Sequence, residues 1–232
     1  AITRAKEVIG NKRPRTVDVV VLHPSGESQL ATSEISVKAF RPSPELIKGF
    51  AKEAHDVAVE ALGSAAAQAF GAEYGDIILG SIIHELSVLR ALDIHISEIN
   101  YVDRWPSPSE SFVIHARTED GVRVTIRWFY LDKYPLYQEE VRWISESEGH
   151  HIIFPSPYIL RLPTKLISTR RIGLAHDVST FESYEPAFEI ELAAFHALAI
   201  SGVQMSDPIA AGYEDLVIAQ MIAKKICDVE GI

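Results

Sequence analysis

The amino-acid sequence predicts an α+β fold, in which a largely antiparallel open sheet has helices packed against one face. Strand-like segments follow one another through the middle of the chain, and helix-like segments lie before and after them. Because the two kinds do not alternate regularly, a doubly wound parallel sheet is not expected. The chain has 232 residues, of which 47% are hydrophobic, so a sizeable core can be buried. We expect residues 1–232 to form a single domain.

The predicted helices carry recognisable start and stop signals. The clearest one can be capped by Ser43, has a proline in its first turn, and can end at Gly63. A second helix is predicted over 83–92, at the end of an apolar run. Two more close the chain, one ending near Gly202 and one beginning at Asp207.

The predicted strands occupy two parts of the chain. Residues 16–22 indicate a buried strand that ends in a turn, and 31–40 indicate a second strand. Over 111–154 we expect consecutive antiparallel strands, with one hairpin turning at an Asp-Gly pair. Alternation along 122–130 places two different sets of side chains on the two faces of its strand. An apolar set consists of Val122, Val124, Ile126, Trp128 and Tyr130, and a mixed set of Arg123, Thr125, Arg127 and Phe129.

Composition excludes several classes of partner. The formal net charge of −10 repels phosphate backbones, so nucleic acid is not expected to bind. No apolar run reaches the length of a membrane span. The single cysteine, Cys227, cannot form an intrachain disulfide, which fits a cytoplasmic location. The basic segment 4–15 is either a solvated helix end or an anion site, and the first interpretation is favoured.

Motif spacing argues against metal and phosphate sites. The sequence has no glycine-rich dinucleotide fingerprint and no P-loop, so no cofactor-binding residues are expected in this chain. His84 and Glu85 begin like a zinc-protease helix, but Val88 stands where the second histidine belongs. His150 and His151 are adjacent on a predicted strand and point to opposite faces, so we interpret them as surface histidines without a metal.

His84 allows two interpretations. It is either a structural histidine at the start of a buried helix or a proton-transfer group, since imidazole suits proton transfer near neutral pH. A helix N-terminus disfavours imidazolium, so we expect a neutral ring that faces a cleft. The following sheet supplies candidate substrate-binding residues. These are Arg127, Tyr130, Tyr134 and Tyr137.

The segment GSIIHELSVLRAL resembles the Asp-x-x-x-His box in the C-terminal domain of the Gfo/Idh/MocA oxidoreductases, with His84 at the histidine of that box. Arg90 supports this register, and the hairpin 137–154 and the two closing helices are also similar to the family. The resemblance covers essentially the whole chain. Gly80 stands where the family has Asp, and Ser87 where it often has Asp.

The resemblance implies an enzyme that uses NAD or NADP bound mainly by a Rossmann domain, which this chain lacks. The chain is then the substrate-binding half of an oxidoreductase acting on a sugar-like or polyol alcohol, with His84 as acid/base. By itself it is expected to be inactive and to bind no dinucleotide tightly. The alternative, favoured by Gly80, is a non-catalytic dimerisation or ligand-binding module. Asp76 and Glu85 are candidates to replace the missing carboxylate. We expect a small-molecule substrate and a homo-oligomer formed through the uncovered sheet face.

Overall fold

The computed structural model describes residues 1–32, 42–106, 108, 110–157, 159, 161–202 and 208–232. The helices are α1 (Ile2–Ile9), α2 (Gly26–Thr32), α3 (Pro44–Leu62), α4 (Ser64–Glu73), α5 (Ile83–Ala91), α6 (Ala187–Ser201) and α7 (Pro208–Glu230), with a π-helix over Tyr74–Ile82. The strands are β1 (Thr16–His23), β2 (Ile96–Trp105), β3 (Ser111–Thr118), β4 (Arg123–Tyr130), β5 (Gln138–Ile144), β6 (Glu148–Phe154), β7 (Thr164–Ile172) and β8 (Ala175–Ser183).

The described strands form one eight-stranded sheet in the order β2-β3-β4-β1-β5-β6-β7-β8. The largely antiparallel sheet is confirmed, with the β1–β4 pair as its parallel exception. The strands within 111–154 are not consecutive, however, because β1 lies between β4 and β5. Val17, Val19 and Val21 are completely buried, so this apolar strand is stable only inside the sheet. Local hairpin signals do not reveal such an insertion.

Burial alternates along the central strands as expected for a sheet that is covered on one face. Val124, Ile126 and Trp128 are 1%, 0% and 3% exposed, whereas Arg123 is exposed. Helix α7 packs against β2 and α5, and α1 packs against β6. The sequence analysis missed β7 and β8. Residues of β8 are almost all exposed, so its sequence has no buried alternating pattern to detect.

The caps of α3 are confirmed. The Ser43 hydroxyl accepts a hydrogen bond from the Leu46 amide at 3.2 Å, and Gly63 ends the helix at φ 83°. The predicted end of α6 at Gly202 is also confirmed, although no residue of α6 is buried. The strand predicted over 31–40 begins inside α2, and the rest of it lies outside the described residues, as does Asp207.

Ion pairs account for the basic N-terminal segment. Its five cations lie 2.8–3.8 Å from carboxylate oxygens. The pairs are Arg4–Glu7, Lys6–Asp93, Lys12–Glu148, Arg13–Asp120 and Arg15–Glu146. This favours the solvated interpretation over an anion site, because each cation already faces a carboxylate. Among the described residues, no helix is long and apolar enough to cross a membrane.

The two adjacent histidines of β6 do lie on opposite faces, but the expectation that both are at the surface is wrong for His150. Its side chain is fully buried, and its Nδ1 lies 2.9 Å from the Ser168 hydroxyl. Burial lowers the pKa of His150. His151, on the uncovered face, instead hydrogen-bonds to Glu140 at 2.8 Å. Strand alternation separates the pair, and the register with β7 decides that His150 points inward.

Candidate functional site

His84 lies within a continuous helical segment rather than at a free helix start. Helix α4, the π-helix and α5 follow one another directly, and the kink at Phe70, inside α4, lies well before His84. The Ile83 amide, next to His84, already donates to backbone carbonyls, including that of Ile78. The expected N-terminal dipole at His84 therefore has no basis here, since that effect depends on unsatisfied amide groups. The apolar run before His84 forms the π-helix, a local geometry that is frequent at functional sites.

A cavity of about 670 Å³ lies between this helical segment and one end of the sheet. Its described lining consists of His23, Ala72, Glu73, Asp76, Ile77, Gly80, Ser81, His84, Glu110, Trp128, Tyr130, Tyr137 and Pro157. The His84 side chain is exposed, so it is not packed among core residues as a purely structural histidine would be. The Trp128 indole donates to the Ser81 hydroxyl at 2.9 Å, which ties the sheet to the π-helix.

Strand pairing explains how distant residues meet in this cavity. Because β1 and β4 are parallel, their carboxyl ends lie side by side, and His23 pairs with Tyr130. Strand β5 is antiparallel to β1 and begins where β1 ends, so Tyr137, just before β5, lies at the same end of the sheet. His23 is far from both tyrosines in the sequence, and the position of β1 between β4 and β5 places it beside them.

His23 is the centre of an aromatic wall. Its ring centroid lies 5.5 Å from that of Trp128, 6.4 Å from that of Tyr130 and 5.7 Å from that of Tyr137. Burial lowers the pKa of His23, and nearby backbone groups only partly offset this effect, so its ring is neutral at pH 7. The sequence analysis missed His23, because a histidine followed by proline at a strand end carries no functional signal by itself.

Two buried or half-buried carboxyl groups, Glu85 and Glu139, belong to the surroundings of His84. The Tyr137 hydroxyl donates to Glu139 at 2.6 Å. Burial raises the pKa of Glu139, while the Tyr137 hydrogen bond and the charge of nearby His84 partly oppose it. Glu85 is only 2% exposed, and its Oε2 has no hydrogen-bond partner among the described residues. Burial and then the charge of Glu139 raise the pKa of Glu85 well above its ordinary value. This pair therefore retains protons at pH values where exposed carboxyls have lost them.

The structure brings together some of the predicted site residues and separates others. His84, Tyr130 and Tyr137 all line the cavity. Arg127 does not, because it neighbours Trp128 on β4 and so points to the uncovered face of the sheet. Tyr134 lies in the turn after β4, 37% exposed and outside the described lining. Arg127 and Tyr134 lie on or next to β4, which borders the cavity, but neither belongs to its described lining.

Gly80 occupies the wall of the cavity. A Cβ at this position would lie 3.3 Å from the backbone oxygen of Gly75, so a side chain here requires the π-helix to shift slightly. Of the two carboxylates considered as replacements for the family's aspartate, Asp76 lines the cavity, whereas Glu85 is buried behind it. Among the described residues, no group of three potential ligands is placed to hold a metal ion.

Comparison with known proteins shows the fold. No protein-family model and no curated protein matches the sequence. Solved structures do match, among them UDP-N-acetylglucosamine 3-dehydrogenase from Acidithiobacillus ferrooxidans (12% identity, TM-score 0.57, 96% of this chain and 56% of that chain). A second is a Desulfitobacterium hafniense protein assigned as an NADPH-dependent oxidoreductase (11% identity, TM-score 0.65, 97% of this chain and 59% of that chain). A third is levoglucosan dehydrogenase in complex with NADH and L-sorbose (13% identity, TM-score 0.57, 98% of this chain and 60% of that chain).

These similarities confirm the fold that the sequence resemblance implied, that of the Gfo/Idh/MocA C-terminal domain. At 11–13% identity they establish architecture only. This chain spans a little over half the length of the solved proteins it matches. Its fold is therefore one found in NAD(P)-dependent oxidoreductases.

Proposed function

We propose that this chain is the substrate-binding half of an NAD(P)-dependent oxidoreductase that acts on a sugar-like or polyol alcohol. The observation that carries the proposal is the cavity of about 670 Å³, in which exposed His84 faces an aromatic wall. A pocket of this size fits a small hydroxylated ligand. Aromatic surfaces with a few polar groups also suit such a ligand, because rings pack against its carbon skeleton while hydroxyl and imidazole groups bind its oxygens.

His84 would transfer the proton of the reacting hydroxyl. When an alcohol is oxidised to a ketone, its O–H proton must leave, and the imidazole takes it; in the reverse direction the imidazolium returns it. Tyr137 and Tyr130 would orient the ligand's other hydroxyl groups. Glu139, which accepts a hydrogen bond from Tyr137 and interacts electrostatically with His84, would help to orient the imidazole.

The hydride chemistry would belong to a nicotinamide cofactor, and the described residues do not fit its binding. The turn from β1 to α2 is not glycine-rich, and the Ser28 amide at the start of α2 is already occupied by the Ser25 hydroxyl at 3.2 Å. A dinucleotide pyrophosphate needs free amides at such a turn. In this proposal the cofactor is bound mainly by another domain of a longer protein.

A non-catalytic dimerisation or ligand-binding module is the second candidate. Gly80 favours it, because a glycine removes the carboxylate that the family has at this position of the box. The cavity itself is compatible with both functions. A measurement of turnover by the full-length protein distinguishes the enzyme from the non-catalytic module.

The test is replacement of His84 by Asn in the full-length protein, with NAD(P)(H) and a panel of sugars and polyols. We expect the rate of the chemical step to fall by about 10²–10⁴-fold with the fold intact, because asparagine cannot transfer a proton near pH 7. His176→Asn on the exposed strand β8 is the matched control and should keep its turnover. Unchanged turnover in a folded His84→Asn protein would return His84 to a structural role.

A further inference from the structure

The charged residues that line the cavity indicate which kind of ligand it favours. Three carboxylates, Glu73, Asp76 and Glu110, are among the described lining residues, and these residues include no lysine or arginine. Glu73 is offset by Arg104, whose guanidinium lies 2.9 Å from it and is also held by Glu230. Asp76 and Glu110 have no ion pair among the described residues. They give the cavity a net negative wall.

His23 and Tyr130 do not compensate for these charges. His23 is neutral at pH 7, because burial lowers its pKa. Burial and then the charges of Asp132 and Glu110 raise the pKa of Tyr130, which keeps its hydroxyl protonated. The Tyr137 hydroxyl donates a hydrogen bond to Glu139. The carboxylates Asp76 and Glu110 are therefore the main charged acceptors of the wall.

The aromatic side chains add a second attraction for positive charge. Trp128 and Tyr130 both line the cavity, and the indole of Trp128 is fixed by its bond to Ser81. The faces of such rings attract ammonium groups, Trp most strongly. A negative wall, acceptor oxygens and aromatic faces together select a ligand that is rich in donors and carries a positive charge. Phosphate or carboxylate groups would face repulsion from Asp76 and Glu110.

We propose that the cavity binds a hydroxylated ligand that carries a protonated amino group, of the amino-sugar class, in preference to neutral or anionic sugars. This inference rests on the proposed function, since it specifies the substrate of the same site. Asp76 and Glu110 contact the ammonium group, the aromatic wall packs against the sugar ring, and His84 faces a hydroxyl.

Three methyl glucosides that differ only at C6 test the charge preference: the 6-amino-6-deoxy glucoside, the glucoside and the glucuronoside. Calorimetric titration of the full-length protein at pH 7 measures their Kd, and the NMR signals of the His84 ring report binding at the cavity. We expect the amino compound to bind roughly three- to tenfold more tightly than the glucoside, and the glucuronoside to bind most weakly. The preference should shrink at high salt.

Asp76→Asn combined with Glu110→Gln should bring the Kd values of the three ligands together. Glu53→Gln, an exposed carboxylate of α3 outside the cavity lining, should leave their order unchanged. Equal Kd values for the amino compound and the glucoside, with the His84 signals shifted by both, would overturn the charge preference and leave the sugar site standing. If none of the three compounds shifts the His84 signals, the sugar site fails together with the charge preference.

Discussion

At the scale of single residues, the site depends on groups whose chemistry is set by their surroundings. His84 was recognised from sequence as an imidazole beside an apolar run, and the structure gives it a cavity and a neighbouring carboxyl, Glu139. Glu85, the next residue, faces the other way into the core. A helix turns by about 100° per residue, so adjacent side chains point in different directions and have different surroundings. Of the two, Glu85 has the more unusual environment, because it is an acid buried without a hydrogen-bond partner for one of its oxygens.

Replacing Glu85 by Gln should stabilise the protein in a pH-dependent way. The pKa of Glu85 is raised in the folded state, so above about pH 4.3 the unfolded chain loses the proton first and stability falls as pH rises toward the folded pKa. Gln removes this penalty. The melting temperature should be nearly unchanged at pH 4 and higher by about 2–4 °C at pH 7.5, which corresponds to about 1 kcal/mol for a chain of this size.

Thermal unfolding followed by circular dichroism over pH 4–8 measures this difference. Glu60→Gln, an exposed carboxylate of α3, is the control and should show no such rise with pH. A melting temperature of Glu85→Gln that falls relative to wild type as pH increases would contradict the assignment of Glu85 as a penalised buried acid.

At the scale of elements, α5 holds its position through one ion pair as well as through apolar packing. The guanidinium of Arg90 donates to both oxygens of Asp215 on α7, at 2.9 and 2.8 Å. The Asp215 side chain is 4% exposed and that of Arg90 is 25% exposed. The arginine that supported the sequence register thus joins two helices. Because α5 carries His84, this pair also helps to fix one wall of the cavity.

Breaking the pair from one side should be costly. Arg90→Met leaves a buried carboxylate without its partner and should lower the free energy of unfolding by about 3 kcal/mol. Arg90→Met combined with Asp215→Leu should recover most of that loss, because no unpaired charge then remains. Urea denaturation of the three variants and wild type measures both effects. A single-variant loss below about 0.5 kcal/mol would show that the pair is solvated and weak.

At the scale of the whole molecule, the uncovered sheet face is a broad surface without a covering layer in the part of the chain that the structure describes. Arg127 and Phe129 of β4 lie on it, and Phe129 stacks on Trp105 of β2 with ring centroids 5.4 Å apart. Nearby, Glu140 is 8% exposed. Burial alone would raise the pKa of Glu140, but hydrogen bonds from His151 and Arg142 outweigh it and lower the pKa. The face thus combines apolar side chains with a paired polar cluster, a composition that is typical of interfaces between proteins.

We expect this face to be buried in a homo-oligomer. A stable contact between two copies needs about 800 Å² per partner, which a broad sheet can supply. Sedimentation velocity at micromolar concentration should show an oligomer, and Phe129→Asp should shift it to monomer with the fold retained. Leu174→Asp, in the exposed turn between β7 and β8, should leave the assembly unchanged. A wild-type monomer under these conditions would contradict the prediction.

The sequence by itself determined the features that depend on local pattern. Alternating apolar residues predicted the one-sided sheet, Ser43 and Gly63 predicted the ends of α3, and the box around His84 predicted the fold class. Only the tertiary structure decided the rest. The insertion of β1 between β4 and β5 is a pairing of segments far apart in the chain, and strand pairing of this kind leaves no local signal. That insertion brings His23 to the cavity, and strand alternation takes Arg127 out of it, because a side chain's face is defined by what packs on the sheet.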